Sequence, residues 1–127
     1  MHHSRLSTFV IDCDTEDMDA AADFWSRALG RQASPLSDGE SNYRELRTHK
    51  DEPMILVQKV SHPGRIHLDI EADDLEAEVR RLESLGAKRI EFVKRWWIME
   101  APTGQRFCVI NPQRGELKGH ANQWNDP

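Results

Sequence analysis

Two stretches of this chain follow one pattern: a strand, an acidic turn, a helix and a Leu-Gly stop. They are FVIDCDTEDMDAAADFWSRALG, residues 9 to 30, and IHLDIEADDLEAEVRRLESLG, residues 66 to 86. In their strands, Val10, Ile11, Asp12, Cys13 and Asp14 lie over His67, Leu68, Asp69, Ile70 and Glu71 without a gap. Removing one residue from the first helix then brings Gly30 onto Gly86. An internal repeat constrains architecture more than any single element does, because both copies must satisfy the same packing.

The helices stand on their own periodicity. Met18, Ala21, Ala22, Trp25 and Leu29 form one apolar stripe, and Leu75, Val79, Leu82 and Leu85 form another. Each stripe is the core face of an amphipathic helix. Asp73 followed by Glu76 reads as a capping box, and Glu76 with Arg80 as an i,i+4 ion pair. Gly30 and Gly86 fall where left-handed C-caps are expected.

Three strands are expected after each helix: 31–36, 41–47 and 54–60 in the first half, then 88–93, 96–100 and 106–110 in the second. The turn signals SDGE, HKDEP and APTGQ separate them. The order is βαβββ twice, an α+β fold with helices on one sheet face. Two such modules, 6–60 and 65–112, are expected to be related by a pseudo-twofold axis and to form a curved mixed sheet around a cleft. Alternation places Phe9, Ile11, Cys13, Ile66, Leu68 and Ile70 toward the helices and Val10, Asp12, His67 and Asp69 toward the cleft. Of Trp96 and Trp97 one must face each way, and Trp97 is taken as the cleft residue. His67 beside Asp69 is the candidate acid/base pair. The tail, 113–127, lacks periodicity and reads as a polar extension with disorder as its default. His2 and His3 read as part of a loose N-terminus.

Composition narrows the function classes. The formal net charge of −5 argues against nucleic-acid or anionic-membrane partners. No apolar run approaches the roughly 20 residues of a membrane span, and MHHSRLS lacks a secretory core, so a cytoplasmic location is expected. Cys13 and Cys108, without CxxC spacing, read as reduced thiols.

The repeat, FW in the first helix, HLDIEADDLEAEVRRLESLGA and the closing WWIMEAPTGQRFCVINP together resemble the vicinal oxygen chelate superfamily, over residues 6 to 112. That superfamily includes glyoxalase I, extradiol dioxygenases, epimerases and bleomycin-binding proteins. The closest resemblance is to its small glyoxalase-like proteins. Its enzymes hold one divalent metal on four positions, which act as a Lewis-acid site for vicinal substrate oxygens. Carried over, those positions fall on Val10, on Leu56 or Gln58, on His67 and on Cys108. Valine cannot ligate, and a thiol suits a hard ion poorly. The resemblance therefore implies a small metabolite or antibiotic bound in the cleft by Asp12, Gln58, His67, Asp69, Trp97 and Cys108, with no metal and no other cofactor. The alternative it leaves open is a metal-dependent lyase, isomerase or dioxygenase with an altered ligand set. It also implies a homodimer.

Overall fold

The computed structural model describes residues 1–34 and 42–126. The chain divides into two units: Thr8–His67, and Met1–Ser7 together with Leu68–Pro127.

In the first unit, β1 (His2–Asp14, of which Thr8 onward belongs here) leads into α1 (Met18–Leu29), then β2 (Tyr43–Leu46) and β3 (Met54–Val60). The strand order is β2-β3-β1, with β2 antiparallel and β1 parallel to β3. Asp17 caps α1 by accepting from the Ala20 N–H at 3.0 Å. The helix stops at Gly30, whose left-handed backbone (φ 66°) a side chain would strain. Met18 and Ala22 pack on Leu46 and Val57, with Trp25, Ile55 and Cys13 at the margin. The stripe thus faces the sheet as its spacing predicts, while Leu29 at its end is 42 % exposed. The strand expected over 31–36 is, among the described residues, a single bridge between Ala33 and Leu46. Hydrogen bonds from Ser34 N to Glu45 O and from Arg47 N to Gln32 O flank it. The SDGE turn lies outside the described residues.

The second unit runs from β4 (Arg65–Ala72, of which Leu68 onward belongs here) through α2 (Leu75–Ser84), β5 (Lys88–Val93), β6 (Trp96–Glu100) and β7 (Arg106–Ile110) to β8 (Asn122–Trp124). Its strand order is β4-β7-β6-β5, and β5 forms the edge. The β5–β6 register shifts between Arg89 and Glu91. Val79 and Leu82 of α2 pack on Ala72, Met99 and Val109, joined by Ile70, Leu75 and Phe107. All three strands after α2 begin and end where the alternation and turn residues place them. Ile70 reaches the α2 core, whereas Leu68 is 41 % exposed, as is Ile66 at 62 %. The helix covers only the last part of that strand's apolar face.

One local reading is corrected. Asp73 does not open a capping box: Asp74 is the N-cap, accepting from Ala77 N at 3.0 Å, and Asp73 instead takes the His3 N–H and ring at 2.7 Å each. Glu76 is drawn to Arg80 at 3.0 Å and to Arg89. Gly86 (φ 108°) is the left-handed stop of α2 just past Leu85, with Ala87 N–H donating to Leu82 O at 3.1 Å and Gly86 N–H to Glu83 O at 3.0 Å.

Neither end of the chain is loose. His2 is buried, β8 pairs His2, His3 and Ser4 with Trp124, Gln123 and Asn122, and Leu117 is also buried. The expectation of disorder failed because long-range polar contacts, not an apolar stripe, hold this segment. No helix among the described residues is long and apolar enough to cross a membrane.

Candidate functional site

Each sheet has a helix face and an opposite, open face, and the registers assign residues to them. In the first unit Cys13, Ile55, Val57 and Leu46 pack toward α1. Their neighbours Val10, Asp12, Leu56, Gln58 and Tyr43 therefore take the open face. Asp12 pairs with Gln58, and Gln58 with Tyr43, so the three side chains form one row across β1, β3 and β2. The Gln58 amide donates to Tyr43 Oη at 3.1 Å.

Asp12 is the centre of that row. Its side chain is 2 % exposed, and its Oδ2 accepts from His67 Nδ1 at 2.8 Å. A carboxylate can only accept here, so Nδ1 carries the proton and Nε2 is the acceptor in the neutral ring. Arg65 Nε stands 3.6 Å from the same oxygen, with half of its side chain exposed. Asp12 Oδ1 is buried and has no hydrogen-bond partner among the described residues. An orphaned buried acceptor of this kind costs about 1–3 kcal/mol, so it is a place where a donor from elsewhere is favoured.

On the helix side, burial pushes the Cys13 thiol up, outweighing the opposing hydrogen bond with Trp25. Cys13 is therefore a protonated packing residue rather than a nucleophile.

In the second unit Ile70, Val109 and Met99 take the helix face. Asp69, Glu71, Cys108 and Ile98 therefore take the open one. Asp69 is the register partner of Cys108. Both cysteines are free thiols. Asp69 pairs with Cys108 as Asp12 pairs with Gln58, so the repeat makes Gln58 rather than Leu56 the counterpart of Cys108. That register was open from the sequence.

Trp97 is a correction. It packs against the α2 core, edge-on to Phe92 at 5.2 Å and under the Arg89 guanidinium at 5.0 Å. Arg89 is held in place by Glu76 and Glu83 of α2. The aromatic on the open face is Trp96, because β6 places Trp97 and Met99 together on the helix side.

The structure thus brings Asp12 and His67 together, with Gln58 beside Asp12 in the register, and sets Asp69 opposite Cys108. Two residues escaped the sequence reading: Arg65 and Tyr43. Arg65 shares the parity of His67 in β4, which was signal enough. Tyr43 needed the β2–β3 register.

The family metal positions do not fit a hard divalent ion. Val10 is 2 % exposed and offers no lone pair, and Cys108 offers a thiol. Within the second unit, Asp69 on β4 and its register partner Cys108 on β7 supply a carboxylate and a thiol.

The glyoxalase-like domain family matches residues 8–110. The chain belongs to that family. No match was found among curated proteins. Solved structures extend the comparison. Methylmalonyl-CoA epimerase from Mycobacterium tuberculosis is similar with a TM-score of 0.59 at 20% identity, over 85% of this chain and 87% of that one. An extradiol ring-cleaving dioxygenase from B.fuscum gives 0.56 at 16%, over 87% of this chain but 34% of that longer one. A Streptomyces coelicolor methylmalonyl-CoA epimerase in complex with 2-nitronate-propionyl-CoA gives 0.54 at 14%, over 84% and 96%. At these identities the likeness is one of fold.

Proposed function

We propose that this glyoxalase-like protein binds a small polar metabolite or antibiotic through the open-face row centred on Asp12 and His67, without a resident catalytic metal. The observation that carries the reading is Asp12: a buried carboxylate that orients His67 with one oxygen and keeps the other without a partner among the described residues. A ligand suited to this row has a hydroxyl or amide N–H for a carboxylate acceptor. It also has an anionic or carbonyl oxygen for Arg65 and a hydroxyl or N–H donor for the imidazole Nε2. Related folds support such chemistry, since one epimerase structure holds a CoA ester. The same reading takes the chain as a homodimer, the commonest assembly of soluble chains.

The experiment pairs calorimetric titration with metal analysis. Methylmalonyl-CoA, catechol and bleomycin serve as probes, and at least one is expected to bind and raise Tm. His67→Ala then weakens that binding by about 1–3 kcal/mol, roughly five- to a hundredfold. A purely structural histidine would instead lower Tm and leave the affinity unchanged. No binding by any probe, or binding indifferent to His67→Ala, overturns the proposal.

The second reading is a metal-dependent lyase, isomerase or dioxygenase with an altered ligand set, and the carboxylate and thiol of Asp69 and Cys108, paired on β4 and β7, favour it. Such a donor set suits zinc or another borderline ion better than magnesium or calcium. One stoichiometric divalent ion in the purified protein, lost in both His67→Ala and Cys108→Ala, would replace the first reading by this one.

A further inference from the structure

The unit formed by Met1–Ser7 and Leu68–Pro127 holds a second cluster of titratable groups, remote in sequence from the Asp12 row. His2 is 1 % exposed, and both of its ring nitrogens face carboxylates: Nε2 lies 2.8 Å from Glu78 Oε1 and Nδ1 2.5 Å from Asp126 Oδ1. Ionised carboxylates only accept, so both contacts are hydrogen bonds only if both nitrogens carry protons. A neutral ring would turn one lone pair against a carboxylate oxygen. We propose that the C-terminal segment ending in β8 is a pH-operated latch, closed on the His2 imidazolium and released when that ring loses a proton.

The geometry indicates which contact fails. Glu78 is fully buried on α2 and also takes two 2.8 Å bonds from Arg81. Asp126 is 28 % exposed, and its other partner is the Met1 amine at 2.8 Å. These, with Arg81, are the charged groups facing His2, while His3 turns to Asp73. The weaker anchor is therefore Asp126. Behind it β8 has only three residue pairs with β1, the Trp124 Nε1–H bond to Ser4 Oγ at 2.9 Å, and the Arg81 guanidinium stacked 3.9 Å above the Trp124 ring.

The direction of the switch follows from the same contacts. Burial of His2 opposes its charge, but the hydrogen bonds to Glu78 and Asp126 outweigh burial and raise its pKa above the ordinary 6.5. A raised histidine stabilises fully below its ordinary value, and that stabilisation is lost as pH rises through the folded value. The latch is closed below the ordinary histidine value and opens as pH rises through the higher folded one.

Release has a route to β4. Arg5 donates to the carbonyls of Arg114 and His120 in the same segment, at 3.1 and 3.2 Å. It also donates to Glu71 Oε1, whose carboxylate is fully buried with Oε2 lacking a hydrogen-bond partner among the described residues. Opening the latch removes two acceptors that orient the counter-ion of a carboxylate two residues from Asp69.

The test uses the full chain labelled with 5-fluorotryptophan and followed by fluorine NMR, which resolves the four tryptophans. The Trp124 resonance is the one missing from Trp124→Phe. It is expected to move toward the position of free fluorotryptophan between about pH 6 and pH 9 while the other three stay in place. In His2→Gln it should stand at the released position throughout that range. In Asp126→Asn, which keeps the Glu78 bond, the midpoint should fall by about one pH unit. A stationary Trp124, four resonances moving together, or wild-type titration in His2→Gln would each overturn the latch. Should His2→Gln fail to fold, an unchanged midpoint in Asp126→Asn overturns it equally.

Discussion

Met99→Ala lowers the stability of the chain by about 2–5 kcal/mol and its Tm by on the order of 10 °C. Met99 is fully buried in the α2 core, where Val79 and Leu82 of the helix meet Ala72 of β4 and Val109 of β7. Truncation removes the transfer free energy of the thioether chain and leaves a cavity that these neighbours, fixed in strands and a helix, close only in part. Met99→Leu conserves volume and costs less than about 1.5 kcal/mol. Urea unfolding of the two variants checks the pair. Equal losses would mean that the site collapses freely or that packing there is loose.

Glu78→Ala destabilises by about 3–5 kcal/mol at neutral pH. The loss is not that of an ordinary surface ion pair, because the carboxylate is fully buried and takes bonds from Arg81 and His2. Removing it takes from Arg81 its buried carboxylate and from His2 one of the two carboxylates at its ring, leaving Asp126. The pH dependence has a definite sign. Burial raises the pKa of Glu78, but the bonds from Arg81, His2 and Ser4 outweigh it and hold the carboxyl below the ordinary 4.5. Its contribution is complete above that value and is lost as pH falls through the lower folded one. The wild type therefore loses stability over that acidic range, and Glu78→Ala shows a shallower slope there. Denaturant titrations at neutral pH and at mildly acidic steps measure both quantities. A parallel slope in the variant would remove Glu78 from the acid response.

What the sequence disclosed follows from which interactions are periodic. β5, β6 and β7 were legible because alternation, turn residues and tertiary packing agree there, and Val79 and Leu82 met Met99 and Val109 as one face meets another. The pairing of Asp12 with His67 was visible only as a shared parity of two strands 55 residues apart. Trp97 could not be placed, since two adjacent tryptophans are symmetric to any alternation argument; Arg89, reaching from β5 to the α2 carboxylates, lies over the one on the helix side. The ends of the chain were read as loose for a related reason. His2, Trp124 and Asp126 carry no period, and the bonds of His2 to Glu78 and Asp126 and of Trp124 to Ser4 span 76 to 124 residues of sequence. Side-chain networks of that span are invisible to any window that slides along the chain.

The shifted register of β5 bears on how the molecule behaves in a crowd. As the last strand of its sheet, β5 offers a row of backbone donors and acceptors, and it carries Ile90 and Phe92 at 40 % and 51 % exposure. Such an edge invites another chain to add a strand. Between Arg89 and Glu91, however, the ladder to β6 slips, which twists the edge and breaks the even spacing a docking strand would need. Lys88, Arg89 and Glu91 add charges along the same six residues. The irregularity thus acts as a guard against sheet-to-sheet aggregation, and smoothing it would leave the most apolar edge of the unit open to polymerisation.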